Sequence, residues 1–346
     1  MRKLALCLFL ITCSTWATAE DLSPAPCALS LVSDDLEHPV AIVSTPSEKG
    51  RAFIVERGGT VEILKDGKLT GNQLLDLSNV VHRTHPHGLM AVAFHPDFER
   101  NRIFFAYFVD VNGDSIVALF HANATTPPDE NSLLVTIKFA QSFPNEYGGS
   151  LAFGPDRLLF VGTSNGGPNP AAAKLMNNLF GKVLRISPKD EGGYTIPTDN
   201  PSRKVPDTDG EIWASGFLSP DSLMLNSTTG SLFALNSHAP TGDTVSLVRS
   251  GAVLGDGPAY TAPRGETLVG GVVYQGSELP ALTGKLILAD AKSGTIFSLV
   301  ESGGAWTRDD MLKVPRGHVS AVGCDPHGEL LVATDAGEIF SVTAKR

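Results

Sequence analysis

The chain has 346 residues, 42% hydrophobic and 18% charged, an ordinary globular composition that can bury a sizeable core. Lysine and arginine number 27 against 37 aspartate and glutamate, and the resulting net charge of −10 repels phosphate backbones and argues against a nucleic-acid partner. With 35 glycines and 23 prolines, the chain suits many short strands better than long helices.

The N-terminus reads as a targeting segment. Arg2 and Lys3 are a positive start, Leu4 to Ile11 is a short apolar run, and Ala17-Thr18-Ala19 has the small residues of a cleavage site. Cleavage before Glu20 is predicted, so 1–19 is a signal peptide, 20–346 is a single domain, and the mature chain is periplasmic or secreted. The apolar run is much shorter than the roughly 20 residues a membrane span needs, and no later segment is long and apolar enough to supply one. A lipoprotein anchor at Cys13 is the weaker alternative, because Thr12 fits poorly before it. Cys7 and Cys13 leave with the signal, while Cys27 and Cys324 remain near the two ends. Outside the cytoplasm such a pair is expected to oxidise. A ring fold would bring the ends together, so a Cys27–Cys324 disulfide is predicted; two buried thiols are the alternative.

One pattern then recurs: a turn with Pro, Asp or Gly, followed by a short strand of Val, Ile, Leu or Phe. The strands are Ala52 to Val55, Ile103 to Ala106, Leu158 to Val161, Leu232 to Leu235, Leu286 to Leu288 and Leu330 to Val332. Six echoes over the mature chain give roughly 54 residues per unit, near the propeller range and too long for a solenoid. The predicted fold is all-β, a six-bladed β-propeller of four-stranded antiparallel blades, with a pair of β-sandwiches as the alternative. The best local helix is Ala171 to Leu179.

Five segments in order carry a family resemblance: Gly88 to Phe98 (GLMAVAFHPDF), Gly148 to Asp156 (GGSLAFGPD), Gly181 to Ile186 (GKVLRI), Ile196 to Pro201 (IPTDNP) and Glu211 to Gly216 (EIWASG). The chain resembles the soluble glucose/sorbosone dehydrogenases from about Leu36 to Thr343. That resemblance implies a six-bladed propeller, pyrroloquinoline quinone (PQQ) and calcium as cofactors, and an aldose sugar as substrate. It places the base that takes the sugar hydroxyl proton at Glu146, where the family has His. It places cofactor contacts at Lys292, which matches the family lysine, and at His318, where the family has Arg. Other positions depart from the pattern. The Gly-x-Arg-Asn-Pro segment reads Gly216-Phe217-Leu218-Ser219-Pro220, so Arg becomes Leu218 and Asn becomes Ser219. The family's Gln falls on Pro86 and a second Arg on Ser320, and the acidic pieces around the calcium loop become Ser237-His238-Ala239-Pro240 and Gly242-Asp243-Thr244.

Charge-assisted bonds to an ionised group are worth about 1.5–3 kcal/mol each, so losing three arginine contacts costs several. Two readings follow. One is an exported PQQ-dependent oxidoreductase acting on aldoses with a strongly altered site. The other is a catalytically inactive propeller that binds carbohydrate or protein. His82, His85 and His87 have the composition of a metal site, but Pro86 interrupts them and a polar loop is the simpler reading. Asp110-Val111-Asn112-Gly113-Asp114 lacks the downstream Glu of a calcium loop and reads as a hairpin turn.

Overall fold

A computed structural model describes residues 27–345 apart from 46, 47, 49, 83–86, 141–147, 168, 255, 256 and 258. The strands fall into six antiparallel sheets, and the six-bladed propeller expected from the repeat is the observed fold. The first blade holds β1's successors in simple meander order: β2 (Pro39–Ser44), β3 (Arg51–Glu56), β4 (Thr60–Lys65) and β5 (Lys68–Asp76), where β1 is Cys27–Ser33. The second holds β6 (Leu89–Phe94), β7 (Ile103–Val109), β8 (Asp114–His121) and β9 (Leu134–Ala140). The third holds β10 (Gly149–Phe153), β11 (Leu159–Thr163) and β12 (Lys182–Pro188), with β13 (Tyr194–Thr195) and β14 (Ile212–Ser215) both pairing with β12. The fourth holds β15 (Ser219–Leu225), β16 (Leu232–Ser237), β17 (Thr244–Leu247) and β18 (Ala259–Thr261). The fifth holds β19 (Leu268–Val273), β20 (Leu286–Asp290), β21 (Thr295–Ser302) and β22 (Ala305–Lys313). The last is β23 (Val319–Cys324), β24 (Leu330–Thr334) and β25 (Ile339–Ala344), completed by β1 from the other end of the chain. The region expected to be helical, Ala171 to Leu179, is a short 3-10 turn at Pro170–Lys174 followed by irregular chain.

Every sequence echo is the second strand of its blade. These strands are sandwiched between neighbouring blades, so both of their faces must be apolar. All seven residues of β7 are buried. Because side chains alternate across a strand, Phe104, Ala106 and Phe108 enter the cluster shared with the first blade, while Ile103, Phe105 and Tyr107 enter the one shared with the third. Six such apolar clusters, one between each pair of adjacent blades, make up the core. Each large side chain buried in them contributes about 1.5–3 kcal/mol. The first strand of each blade faces the axis, and β2 packs beside both β6 and β23 to close the ring.

The predicted disulfide is not there. The ends do meet in one blade, but the strand order β1-β25-β24-β23 puts Cys27 and Cys324 on opposite edges. Three strand spacings separate those edges by about 14 Å, against a disulfide Cα limit of about 7 Å. Cys27 and Cys324 are not bridged to one another.

Candidate functional site

The six inner strands run in one direction and enclose an axial cavity of about 700 Å³ to which every one of them contributes. Five of the six carry a β-bulge near their start. In each case the second strand skips a partner, leaving Val40, Met90, Asp221, Gly270–Gly271 and Ser320 as the extra residues. All of these line the cavity. A bulge bends its strand and re-aims the unpaired side chain, so the repeat builds a collar around the axis. Asp221 is the charged member of that collar.

The local sequence explains its placement. Pro220 has no N–H for the ladder and is tolerated because β15 is an edge strand facing the cavity. The carbonyl of Pro220 accepts a 2.5 Å bond from the Ser150 hydroxyl of β10, the one inner strand without a bulge. The backbone N–H groups of Leu218 and Ser219 both donate to the buried Asn236 carboxamide oxygen, at 2.7 and 3.1 Å. The Ser219 hydroxyl donates to Asp221 Oδ1 at 2.5 Å, and His238 Nε2 stands 4.0 Å from Asp221 Oδ2. About a third of the Asp221 side chain (34%) is exposed, and the residue lines the cavity. Burial pushes its pKa up, opposed by the hydroxyls of Ser219 and Ser237 and by His238. Glycine at 148 makes room for this arrangement, since a Cβ there would lie 2.1 Å from Ser219 Oγ and 2.6 Å from Asp221 Oδ1.

Arg57, on the turn after β3, also lines the cavity. It donates to the His87 carbonyl at 3.4 Å, and burial pulls its pKa down while the Asp221 charge pulls it up. Among the described residues, Arg57, Asp221 and His238 are the ionisable groups of the cavity wall, alongside the hydroxyls of Ser150, Ser219, Ser222 and Ser320.

The expected site residues fare differently. Glu146 lies outside the described residues. Lys292, on the turn between β20 and β21, and His318, just before β23, sit at the end of the propeller where the inner strands begin, with Arg57 and His238. Neither lines the cavity. Lys292 is exposed on its turn. His318 is held by Asp335, which accepts its backbone N–H at 2.8 Å and lies 3.1 Å from its Nδ1. Equivalent carboxylates tie the entry of other blades: Glu56 accepts the N–H of Glu37 at 2.6 Å and Asp290 that of Thr267 at 2.9 Å. The acidic residues of this face are thus largely engaged in loop construction. Asp243 is another, accepting His238 N–H at 3.0 Å and Leu268 N–H at 2.8 Å, which fixes His238 and joins two blades.

His85 is outside the described residues, while the rings of His82 and His87 lie 4.2 Å apart. Among the described residues no group of three or more His, Cys, Asp or Glu side chains is placed to hold a metal ion. The Asp110 segment is the expected hairpin turn, with Asp110 Oδ1 accepting the N–H groups of Asn112 and Asp114 at 2.9 Å each. No helix among the described residues is long and apolar enough to cross a membrane.

Residues 36–260 match the family model described as Glucose / Sorbosone dehydrogenase. The chain belongs to that family. Within the glucose/sorbosone dehydrogenase family it is 25% identical to the aldose sugar dehydrogenase YliI of Escherichia coli, over 98% of this chain and 97% of that protein. It is also 25% identical to the mouse (Mus musculus) Hedgehog-interacting protein, over 78% of this chain and 43% of the other. The PQQ-bound aldose sugar dehydrogenase of Streptomyces coelicolor has the same fold, with a TM-score of 0.73 at 19% identity over 93% of this chain and 99% of that one.

Proposed function

We propose that this chain is an exported member of the family, released by cleavage near Ala19, that binds an aldose-type carbohydrate at the mouth of the central cavity and no longer holds the family's quinone. The observation that carries this reading is the charge of the wall. PQQ is a tricarboxylate, and the described wall offers it one guanidinium, Arg57, which already feels the charge of Asp221. Leu218 stands where the family has Arg, and Lys292 and His318 lie off the wall. Each missing charge-assisted bond costs about 1.5–3 kcal/mol, so the described residues do not fit PQQ in the family's manner. Among the described residues no multi-carboxylate cluster is placed to hold calcium, which argues in the same direction.

What remains suits a neutral polyhydroxylated ligand. A carboxylate accepts sugar hydroxyls, a guanidinium donates to them, and serine hydroxyls do both. The cavity is within the size range of small-molecule sites.

The test is calorimetric titration of the mature chain with a panel of aldoses and short oligosaccharides, in parallel with dye-reduction assays in the presence of PQQ and calcium. Saturable sugar binding without dye reduction is expected. Sugar-dependent dye reduction would overturn the reading in favour of an active dehydrogenase, and Glu146→His should then raise the rate.

A further inference from the structure

We infer that Asp221 is the specificity-determining residue of the cavity: it anchors a neutral polyhydroxylated ligand and turns anionic ones away, the family's quinone included. The inference rests on the proposed binding role and names the residue that decides ligand charge. It goes beyond the loss of cations, because an absent arginine merely fails to attract an anion, whereas a carboxylate in the collar repels it.

Three observations carry it. The first is position. Asp221 is the unpaired residue of a bulge, and the equivalent extra residues of the other bulged strands are Val40, Met90, Gly270–Gly271 and Ser320, none of them charged. Among the described residues, a ligand passing the collar therefore meets one formal charge at that level, and it is negative. The second is rigidity. Pro220, its own φ fixed by its ring, precedes Asp221 and is pinned by Ser150, and the carboxylate accepts a bond from Ser219 at 2.5 Å that holds it toward this position. The third is space. Gly148 leaves the carboxylate's flank open where any side chain would displace it. Arg57 softens the negative field, while its location on the turn after β3 leaves the collar itself to Asp221.

The experiment has two arms, both read by titration of the mature chain. In the first, wild type and Asp221→Asn are titrated with PQQ, with and without calcium. The amide keeps the shape and removes the charge, so PQQ affinity should rise about tenfold or more, the effect of roughly 1.4 kcal/mol. In the second, wild type alone is titrated with glucose, glucosamine and glucuronate, which share a ring and differ in charge. Glucuronate should bind about tenfold more weakly than glucose, with glucosamine at least equal to it. A PQQ affinity within twofold between the two proteins, or glucuronate binding as well as glucose, overturns the inference. The second arm decides should the variant fail to fold. If no aldose binds, the sugar-binding role fails by itself, and the PQQ comparison still measures the charge effect.

Discussion

Gly148 and Gly149 are adjacent, yet alanine at each should have opposite consequences. A Cβ on Gly148 would stand 2.1 Å from Ser219 Oγ and 2.6 Å from Asp221 Oδ1, where ordinary contact begins near 3.4 Å. The serine must retreat by more than an ångström, which its 2.5 Å bond to Asp221 cannot survive. A hydrogen bond to a charged group is worth about 1.5–3 kcal/mol. The lower end applies here, because the 34% open side chain of Asp221 regains water. Ligand affinity should fall about tenfold. The fold should hold, since the displaced atoms are side-chain ends on the cavity wall and glycine-to-alanine recovers part of the loss through chain entropy. A Cβ on Gly149 meets the Tyr107 ring at 2.8 Å instead. Tyr107 is fully buried between two blades and has nowhere to go. Overpacking of this kind costs about 1–3 kcal/mol, or several degrees of melting temperature. Melting curves and sugar titrations of the two variants check this. Wild-type binding by Gly148→Ala, or a melting temperature below that of Gly149→Ala, would contradict both assignments.

Two further outcomes follow from groups outside the cavity. Lys182 is fully buried, its amine bonded to the carbonyls of Ala173, at 2.9 Å, and Phe180, and burial lowers its pKa from 10.5 to about 8. The unfolded chain therefore binds the extra proton between those values, so wild type gains stability relative to Lys182→Met as pH rises from about 8 toward 10, by up to about 1.4 kcal/mol per pH unit; a melting-temperature difference that stays flat across this window would reject the assignment. Burial holds both cysteines above the ordinary thiol range, Cys324 more strongly, with Asp325 and Glu329 adding to its shift. Thiol labelling of the mature chain at pH 8 should be slow when folded and reach two equivalents when unfolded without reductant, whereas a titre near zero would mean the cysteines are bridged after all.

The ring was legible because its most repetitive part is also its most constrained. The second strand of each blade is pressed between two apolar neighbours, so its composition is forced and returns six times. The inner strands face the cavity on one edge and owe no such debt to a partner, and their bulges break the two-residue alternation by which a strand is recognised. Nothing in the letters says that Asp221 rather than Ser222 is the unpaired residue; the one local hint is Pro220, a residue suited to a bulged edge. Lys292 and His318 were reachable through the resemblance, which fixes the turn on which a residue sits but not whether its side chain reaches the axis. For His318 the deciding fact is Asp335, 17 positions later, which engages both its backbone and its ring. The cysteines make the same point about distance. Sequence shows that the ends of the chain share a blade, while strand order determines that Cys27 and Cys324 occupy its two opposite edges. What a propeller binds is thus decided at the positions where its repeat is interrupted. In this chain the interruption at Asp221 sets a carboxylate in the cavity wall, and under the proposed binding role the choice of ligand follows from that charge with no difference in fold needed.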